Sequence, residues 1–111
     1  MRILTLGDGT TRQVHAHGSS GFEWGALTEP GARVMMSTAT LEPGGTIGRH
    51  DAHDRQLLIL LSGSVTVVNG DGGGAALMPG QAAVCEAGES HEARTDGGAT
   101  LLFVEGAFEL R

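Results

Sequence analysis

The side chains best suited to chemistry are two imidazoles and one carboxamide, those of His50, Gln56 and His91. His50 and Gln56 stand at even positions ahead of an unbroken apolar run, with Ala52 between them. In a β-strand, side chains at i, i+2 and i+6 lie on one face. We therefore expect an imidazole and a carboxamide to point the same way, into whatever the sheet encloses. His91 would join them from a later strand that follows a glycine turn.

This set of groups has more than one chemical interpretation. Imidazole nitrogen binds Zn, Fe, Ni, Cu or Mn, and a carboxamide oxygen would add a weaker, neutral ligand. Such a metal ion would stay electrophilic, which favours Lewis-acid chemistry. Without a metal, the same side chains would form a polar floor that binds a ligand by hydrogen bonds. In a third interpretation they are internal polar groups that satisfy one another and bind nothing.

The elements that must position these side chains are short strands. Turn signals recur about every 8–12 residues, which is typical of an all-β sandwich or barrel. The run Leu57–Leu61 is apolar at every position, which indicates a strand buried on both faces. Its outward face would be covered by an N-terminal segment or by a partner subunit. Gln13–His17 is a candidate strand in which His15 and His17 share a face, either as an exposed pair or as the start of a metal site.

Composition excludes several function classes. The chain has 111 residues, which predicts one domain. It has no Lys and a net charge of −6, so binding to nucleic acid or to an anionic membrane is not expected. Cys85 is the single cysteine, which rules out an internal disulfide and suits a reducing compartment. With no signal-peptide pattern and no apolar stretch of membrane-spanning length, we expect a cytoplasmic protein.

Two spaced motifs resemble those of the cupin superfamily. The first cupin motif has the form G-x5-H-x-H-x3-E-x6-G, and the second G-x5-P-x-G-x2-H-x3-N. The positions that correspond to the first motif are Gly44, His50, Ala52, Gln56 and Gly63, and those that correspond to the second are Gly80, Glu86, Gly88, His91 and Thr95. Every spacing is kept, and the resemblance covers Leu41 to about Glu105.

The resemblance implies a single-domain cupin jelly-roll β-barrel, commonly a homodimer, with its site inside the barrel. The domain would be residues 1–111, with a barrel core at about 33–105. The N-terminal strands in 1–27 would pack on that core or on a dimer partner.

Two of the departures from the motifs fall on positions that bind a metal in cupins. Cupin metal sites typically use both histidines and the Glu of the first motif together with the His of the second. Ala52 occupies the place of the second His, and Gln56 that of the Glu. His53 is one residue out of register, so we expect it at the rim or in solvent, with a replacement ligand as the second interpretation. The candidate residues for lining the pocket are Trp24, Met36, Ala52, Leu58 and Cys85.

Two functions are compatible with these observations. In the first, the protein binds a small molecule and a divalent metal inside the barrel and has an oxygenase, isomerase or lyase activity. In the second, it is a non-catalytic metabolite-binding or sensory module with a metal-free polar pocket. Gln56 stands where a general base would be expected, which weakens mechanisms that depend on proton transfer.

Overall fold

The computed structural model describes residues 1–5, 11–20, 23–24, 27–31 and 33–110, and the side chains of all of these except 23–24. The expected all-β class is confirmed. The strands are β1 (Arg2–Thr5), β2 (Arg12–Gln13), β3 (Glu23–Trp24), β4 (Arg33–Leu41), β5 (Thr46–Asp51), β6 (Arg55–Gly63), β7 (Val65–Asn69), β8 (Gly74–Leu77), β9 (Gln81–Cys85), β10 (Ser90–Arg94) and β11 (Ala99–Ala107). Within the same residues, no helix is long and apolar enough to cross a membrane.

The strands form two main antiparallel sheets that face each other. One has the order β1-β9-β6-β11-β4 and the other the order β5-β10-β7-β8, while β2 and β3 make a separate two-stranded sheet. The neighbours in each sheet are seldom consecutive in sequence, as expected of a jelly roll. No strand pairing among the described residues joins the two main sheets edge to edge. The expected barrel is therefore an open, two-sheet sandwich.

The core between the sheets, here called the inner cluster, consists of aliphatic and small side chains from both sheets. Leu58 and Leu60 of β6 and Leu101 of β11 come from one sheet, and Val67 of β7 and Ala93 of β10 come from the other. All five are essentially inaccessible to solvent. The side chains on this face of each sheet alternate with those on its other face, because the side-chain period of a strand is two. The face that contributes to the inner cluster is called the inner face below.

The other face of the five-stranded sheet carries a second apolar cluster, here called the outer cluster. Leu57, Ile59, Val84 and Val104 are buried there with Phe108 from the C-terminal tail. The partly buried residues packed against them include Leu4, Leu27 and Leu110. The N-terminal segment, which is one of the two expected covers, thus lies over the outward face of β6 together with the C-terminal segment. Phe108 and Leu110 dock the C-terminal tail on this cluster.

The candidate strand at Gln13–His17 is confirmed only at Gln13, where β2 ends, and is wrong for the residues that follow. Residues Ala16–Gly18 form a 3-10 turn in which His17 has a φ of 58°. His15 and His17 are both exposed, so the interpretation as a solvated pair is the one that agrees with the structure.

The motif glycines lie where the turn signals indicated. Gly44, Gly63, Gly80 and Gly88 all have positive φ, which glycine adopts without steric penalty.

Candidate functional site

The two motif histidines lie side by side at one end of the sandwich. His50 of β5 pairs directly with His91 of β10, and the ring centroids are 4.5 Å apart at an interplanar angle of 60°. His91 is only 2% exposed, whereas His50 is exposed. The expected meeting of two imidazoles that are distant in sequence is therefore found in the structure, with one ring buried and the other at the rim.

A bulge in β5 aims His50 at the inner face. Ile47 pairs with Ala93 and His50 with His91, so two residues of β5 stand opposite the single residue Glu92. Ile47 packs on the inner cluster. In a regular strand its side chain and that of His50, three residues later, would point to opposite faces. The extra residue brings both to the inner face, and bulges often redirect side chains in this way beside functional sites.

The two rings differ in their hydrogen bonding. Nδ1 of His50 lies 2.7 Å from the carbonyl oxygen of Gly48 and donates to it when that nitrogen carries the proton. This contact leaves Nε2 of His50 as the free acceptor or ligand nitrogen. Nδ1 of His91 is buried and has no hydrogen-bond partner among the described residues.

Burial also changes the acidity of His91. Loss of hydration lowers the pKa of His91 below its usual value, and His50 acts in the same direction. The carbonyl and carboxylate of Glu89 oppose this shift more weakly. His91 is therefore neutral at pH 7, when its ring can donate one hydrogen bond and accept another.

Gln56 does not share a strand with His50. It lies at the start of β6 in the five-stranded sheet, whereas β5 belongs to the four-stranded sheet. The interpretation of His50, Ala52 and Gln56 as one extended face is wrong, because residues 52–54 form a connection between the two sheets. Gln56 still faces the inner cluster, since it alternates with Leu58 and Leu60. The carboxamide is thus opposite the histidines across the sandwich.

Two rows of side chains therefore face each other at this end. Directly paired residues of neighbouring strands point to the same face. On the four-stranded sheet the histidine row consists of His50, His91 and Asn69. On the five-stranded sheet the glutamine row consists of Met35, Glu105, Gln56 and Cys85. Sheets that pack face to face are about 10 Å apart, so a small molecule held between the rows could reach both.

Three buried polar atoms in the two rows have no partner. They are Oε1 of Gln56, Oδ1 of Asn69 and Nδ1 of His91, and they are all the buried unpaired side-chain nitrogens and oxygens of the described residues. Gln56 is only 7% exposed. Buried polar atoms almost always have a hydrogen-bond partner. Three unpaired atoms in the two rows therefore indicate that this end of the sandwich is a candidate binding site.

Asn69 and Glu105 were not among the residues expected at the site. Asn69 is the last residue of β7, next to the turn that follows it, and pairs with His91. Glu105 lies on the inner face because it alternates with Leu101 and Phe103. The signal in the sequence is a single charged residue in a last strand that is otherwise uncharged and mostly apolar.

The candidate lining residues have different surroundings. Leu58 is fully buried in the inner cluster, and Ala52 is buried in the connection, where its backbone bonds those of Glu89 and Gly88. Met36 is 61% exposed and pairs with Val104, which places it on the outer face; its neighbour Met35 takes the inner position. The side chain of Trp24 lies outside the described ones, and His53 is exposed.

Cys85 is a member of the glutamine row and is not a reactive thiol. It is fully buried and pairs with Gln56. Burial raises the pKa of the Cys85 thiol to about 11, with a further contribution from the nearby charge of Glu89. Since the thiolate is the nucleophile and the metal ligand, Cys85 packs here as a small apolar side chain.

The donor set falls short of a complete metal site. The described residues contain no group of three or more His, Cys, Asp or Glu side chains that could hold a metal ion. His50 and His91 supply two ligand side chains, and Gln56 adds only a neutral oxygen. Protein sites for transition metals normally supply three or four ligands, most of them imidazole, thiolate or carboxylate. The residues present suit hydrogen bonding better than metal coordination.

Two surface grooves lie away from the rows. One, of about 640 Å³, is lined by Arg55, Glu86 and Phe108 among others, and a second, of about 270 Å³, adjoins it. Neither is lined by a member of either row. In the larger groove Arg55 donates to Glu86 at 2.9 Å and to the Phe108 carbonyl at 2.9 Å. Its principal polar groups are thus paired with one another, and the C-terminal tail forms part of its wall.

Comparison with known proteins now identifies the family. The model of the cupin domain matches residues 37–105, which include both motifs and both rows except Met35. The chain belongs to the cupin family. No curated protein matches the sequence.

Solved structures agree with this assignment. A conserved protein of unknown function from Streptococcus pyogenes is 25% identical, with a TM-score of 0.61 over 65% of this chain and 62% of that one. A DMSP lyase from Ruegeria pomeroyi is 19% identical (TM-score 0.62, 70% of this chain and 41% of that one). A sugar phosphate isomerase from Silicibacter pomeroyi is 23% identical (TM-score 0.56, 66% and 50%). This cupin therefore spans less than two thirds of each of these proteins.

Proposed function

We propose that this cupin binds a small molecule between the histidine row and the glutamine row through hydrogen bonds, without a metal. The observation that supports the proposal is the set of three buried, unpaired polar atoms on Gln56, Asn69 and His91. An unmade hydrogen bond costs about 1–3 kcal/mol at a buried group. A ligand that supplies partners to these atoms would recover that free energy on binding.

The chemistry of Gln56 also favours binding over proton transfer. A carboxamide does not titrate, so it cannot act as a general base where the first cupin motif has Glu. Its neighbour Cys85 is held protonated, as described above. The alternative of a metabolite-binding or sensory module thus agrees better with these side chains than an enzyme does.

Replacement of Gln56 by Met tests the proposal. Met is similar in size and removes the unpaired oxygen, so Gln56→Met should raise the free energy of unfolding by roughly 1 kcal/mol or more while binding of small ligands is lost. Binding would be followed by NMR shifts of the Asn69 side-chain amide during a screen of small polar molecules.

Gln81→Met is the matched control. The Gln81 amide accepts from the Met78 amide at 2.9 Å and donates to Thr5 Oγ1 at 3.3 Å. Its removal should therefore lower stability without a change in ligand binding. If Gln56→Met is destabilised as strongly as Gln81→Met, the Gln56 amide is already satisfied and the proposal fails.

Metal-assisted catalysis of oxygenase, isomerase or lyase type is the second candidate. It is favoured by one contact, that of His50 Nδ1 with the Gly48 carbonyl, because the contact leaves Nε2 free beside His91. His50, His91 and the Gln56 oxygen would hold the ion, with a Lewis-acid role for a bound divalent metal. Elemental analysis of protein purified with Zn, Fe, Ni, Mn or Cu supplementation tests this. About one ion per chain, lost in His91→Ala, would favour this candidate over the metal-free pocket.

The named activities of the two neighbours are not carried over to this cupin. Both proteins are longer, and both are less than 25% identical to it. Their likeness supports the fold alone. Which reaction, if any, occurs there depends on side chains rather than on fold.

We further propose that the protein forms a homodimer. Strand β4 ends the order of its sheet, and Val34, Met35 and Met36 along it are exposed apolar side chains. A long apolar edge strand favours pairing with another copy. Sedimentation should give a dimer for the wild-type chain and a monomer for Met36→Glu. A wild-type monomer at all concentrations would contradict this proposal.

A further inference from the structure

We infer that Glu105 makes this site selective for a small organic cation that carries hydrogen-bond donors, such as a primary ammonium with a hydroxyl group. The inference rests on the proposed function and narrows it to a class of ligand. It concerns a residue outside both cupin motifs, and it depends on the register of β11 against β6 and β4.

The position of Glu105 is set by three strands. It pairs with Gln56 on one side and with Met35 on the other. Residues Leu101 and Phe103, which precede it at alternate positions of β11, pack in the inner cluster. The carboxylate is therefore the next inward group above the core and stands beside the buried carboxamide. Directly opposite positions in an antiparallel pair have Cβ atoms about 5 Å apart.

No cation of the protein neutralises this carboxylate in the described residues. Glu105 has no ion pair there. Three cationic groups at this end of the sandwich are paired elsewhere: Arg49 with Glu92, Arg55 with Glu86 and Glu109, and the amino group of Met1 with Glu89. Arg33 lies at the exposed end of β4. Within the part of the chain that the structure describes, the glutamine row thus presents one negative charge without an ion-pair partner.

Two further side chains of the rows offer unpaired hydrogen-bond acceptors beside this carboxylate. Oε1 of Gln56 and Oδ1 of Asn69 are both buried, unpaired acceptors. A carboxylate and two amide oxygens together suit a ligand with several N–H or O–H donors and a positive charge. Paired with the half-buried Glu105, an ammonium would gain more than it does in water, because the effective dielectric constant there is lower. An anionic ligand would meet repulsion at the same place.

Three two-carbon probes of nearly equal size test the charge preference. They are ethanolamine, which is cationic at pH 7.5, neutral ethylene glycol and anionic glycolate. Each is titrated into the full chain labelled with ¹⁵N, and the side-chain amide signals of Gln56 and Asn69 report binding. We expect saturable shifts with ethanolamine and at least tenfold weaker binding of the other two. Glycolate or ethylene glycol binding as tightly as ethanolamine would overturn the inference, as would no shift with any probe.

Glu105→Gln separates the charge from the shape of the site. We expect at least a tenfold loss of ethanolamine affinity, with little change for ethylene glycol. Glu92→Gln is the control, since Glu92 lies on the opposite face of β10 and pairs with Arg49; it should bind ethanolamine as the wild type does. Unchanged affinity in Glu105→Gln would refute the role of Glu105. The stability comparison of Gln56→Met needs no ligand, so the proposed site and its charge preference can fail independently.

Discussion

The strongest prediction concerns how the stability of this cupin depends on pH through His91. The ring is 2% exposed, and burial together with His50 lowers the pKa of His91 in the folded protein. In the unfolded chain the same ring has an ordinary pKa of about 6.5. As the pH falls below that value, the His91 ring binds a proton in the unfolded state but stays neutral in the folded state. The contribution of His91 to the free energy of unfolding is therefore fully present above pH ~6.5 and decreases below it.

The size of the effect follows from linkage. If the folded ring stays neutral, the loss at pH 5.5 relative to pH 7.5 is up to ~1.4 kcal/mol for one proton. Protonation of both rings is opposed in addition by their proximity. Two unit charges at the 4.5 Å separation of the ring centroids repel by roughly 4 kcal/mol at an effective dielectric constant of ~20. Water around the exposed His50 reduces this figure, so we use only the linkage value.

Denaturant unfolding of metal-free protein at pH 7.5, 6.5 and 5.5 measures the effect. The wild type and His53→Gln, which removes an exposed histidine, should lose about 1 kcal/mol more than His91→Gln between pH 7.5 and 5.5. Equal losses in all three proteins would refute the reasoning. If His91→Gln does not fold, the NMR titration of the His91 ring decides, because a midpoint at or above 6.5 contradicts a neutral buried ring.

Two other predictions follow from the backbone and from the thiol. Gly63 has a φ of 88°, and a Cβ there would collide with the carbonyl oxygen of Gly98; Gly72 has the same φ, with no atom within 4 Å of such a Cβ. Gly63→Ala should therefore lower the free energy of unfolding by at least ~2 kcal/mol, and clearly more than Gly72→Ala; equal losses would show that the contact with Gly98 is relieved at no cost. Native Cys85 should resist iodoacetamide at pH 8 and react fully in denaturant, because its pKa is raised to about 11; rapid labelling of the native protein would contradict its burial.

Much of the strand pattern could be predicted from sequence. The structure has strands at Arg33–Leu41, Gln81–Cys85 and Ser90–Arg94, each between turn signals that the sequence shows. The reason is local: a turn with Gly, in some cases also with Pro, adjoins each of these strands, and such a turn requires a particular backbone conformation whatever lies far away in the chain. The same local signals located the apolar strand that contains Leu58.

The site was predictable only in part because its geometry is not local. The expectation that His50 and His91 meet came from motif spacing, and the structure pairs them. The sequence did not show that the chain changes sheet between His50 and Gln56. An even number of residues between two side chains does not reveal whether they share one strand or lie on two. Glu105 was missed for a related reason. Its place beside Gln56 depends on the pairing of strands far apart in sequence, and no periodicity within β11 reveals its neighbour.

The structure also explains how a cupin can keep its fold while its site changes. The four motif glycines all have positive φ, Gly44, Gly80 and Gly88 in turns and Gly63 at the end of β6, so they serve the backbone. Ala52 and Gln56 replace side chains that serve a metal, and neither replacement disturbs those turns. The two rows consequently still face each other across the sandwich, with a carboxamide and the nearby Glu105 where the motif would place a ligand carboxylate. Under the function proposed above, such a site uses hydrogen bonds and charge in place of metal coordination, and its ligand should be sought among small donor-rich cations.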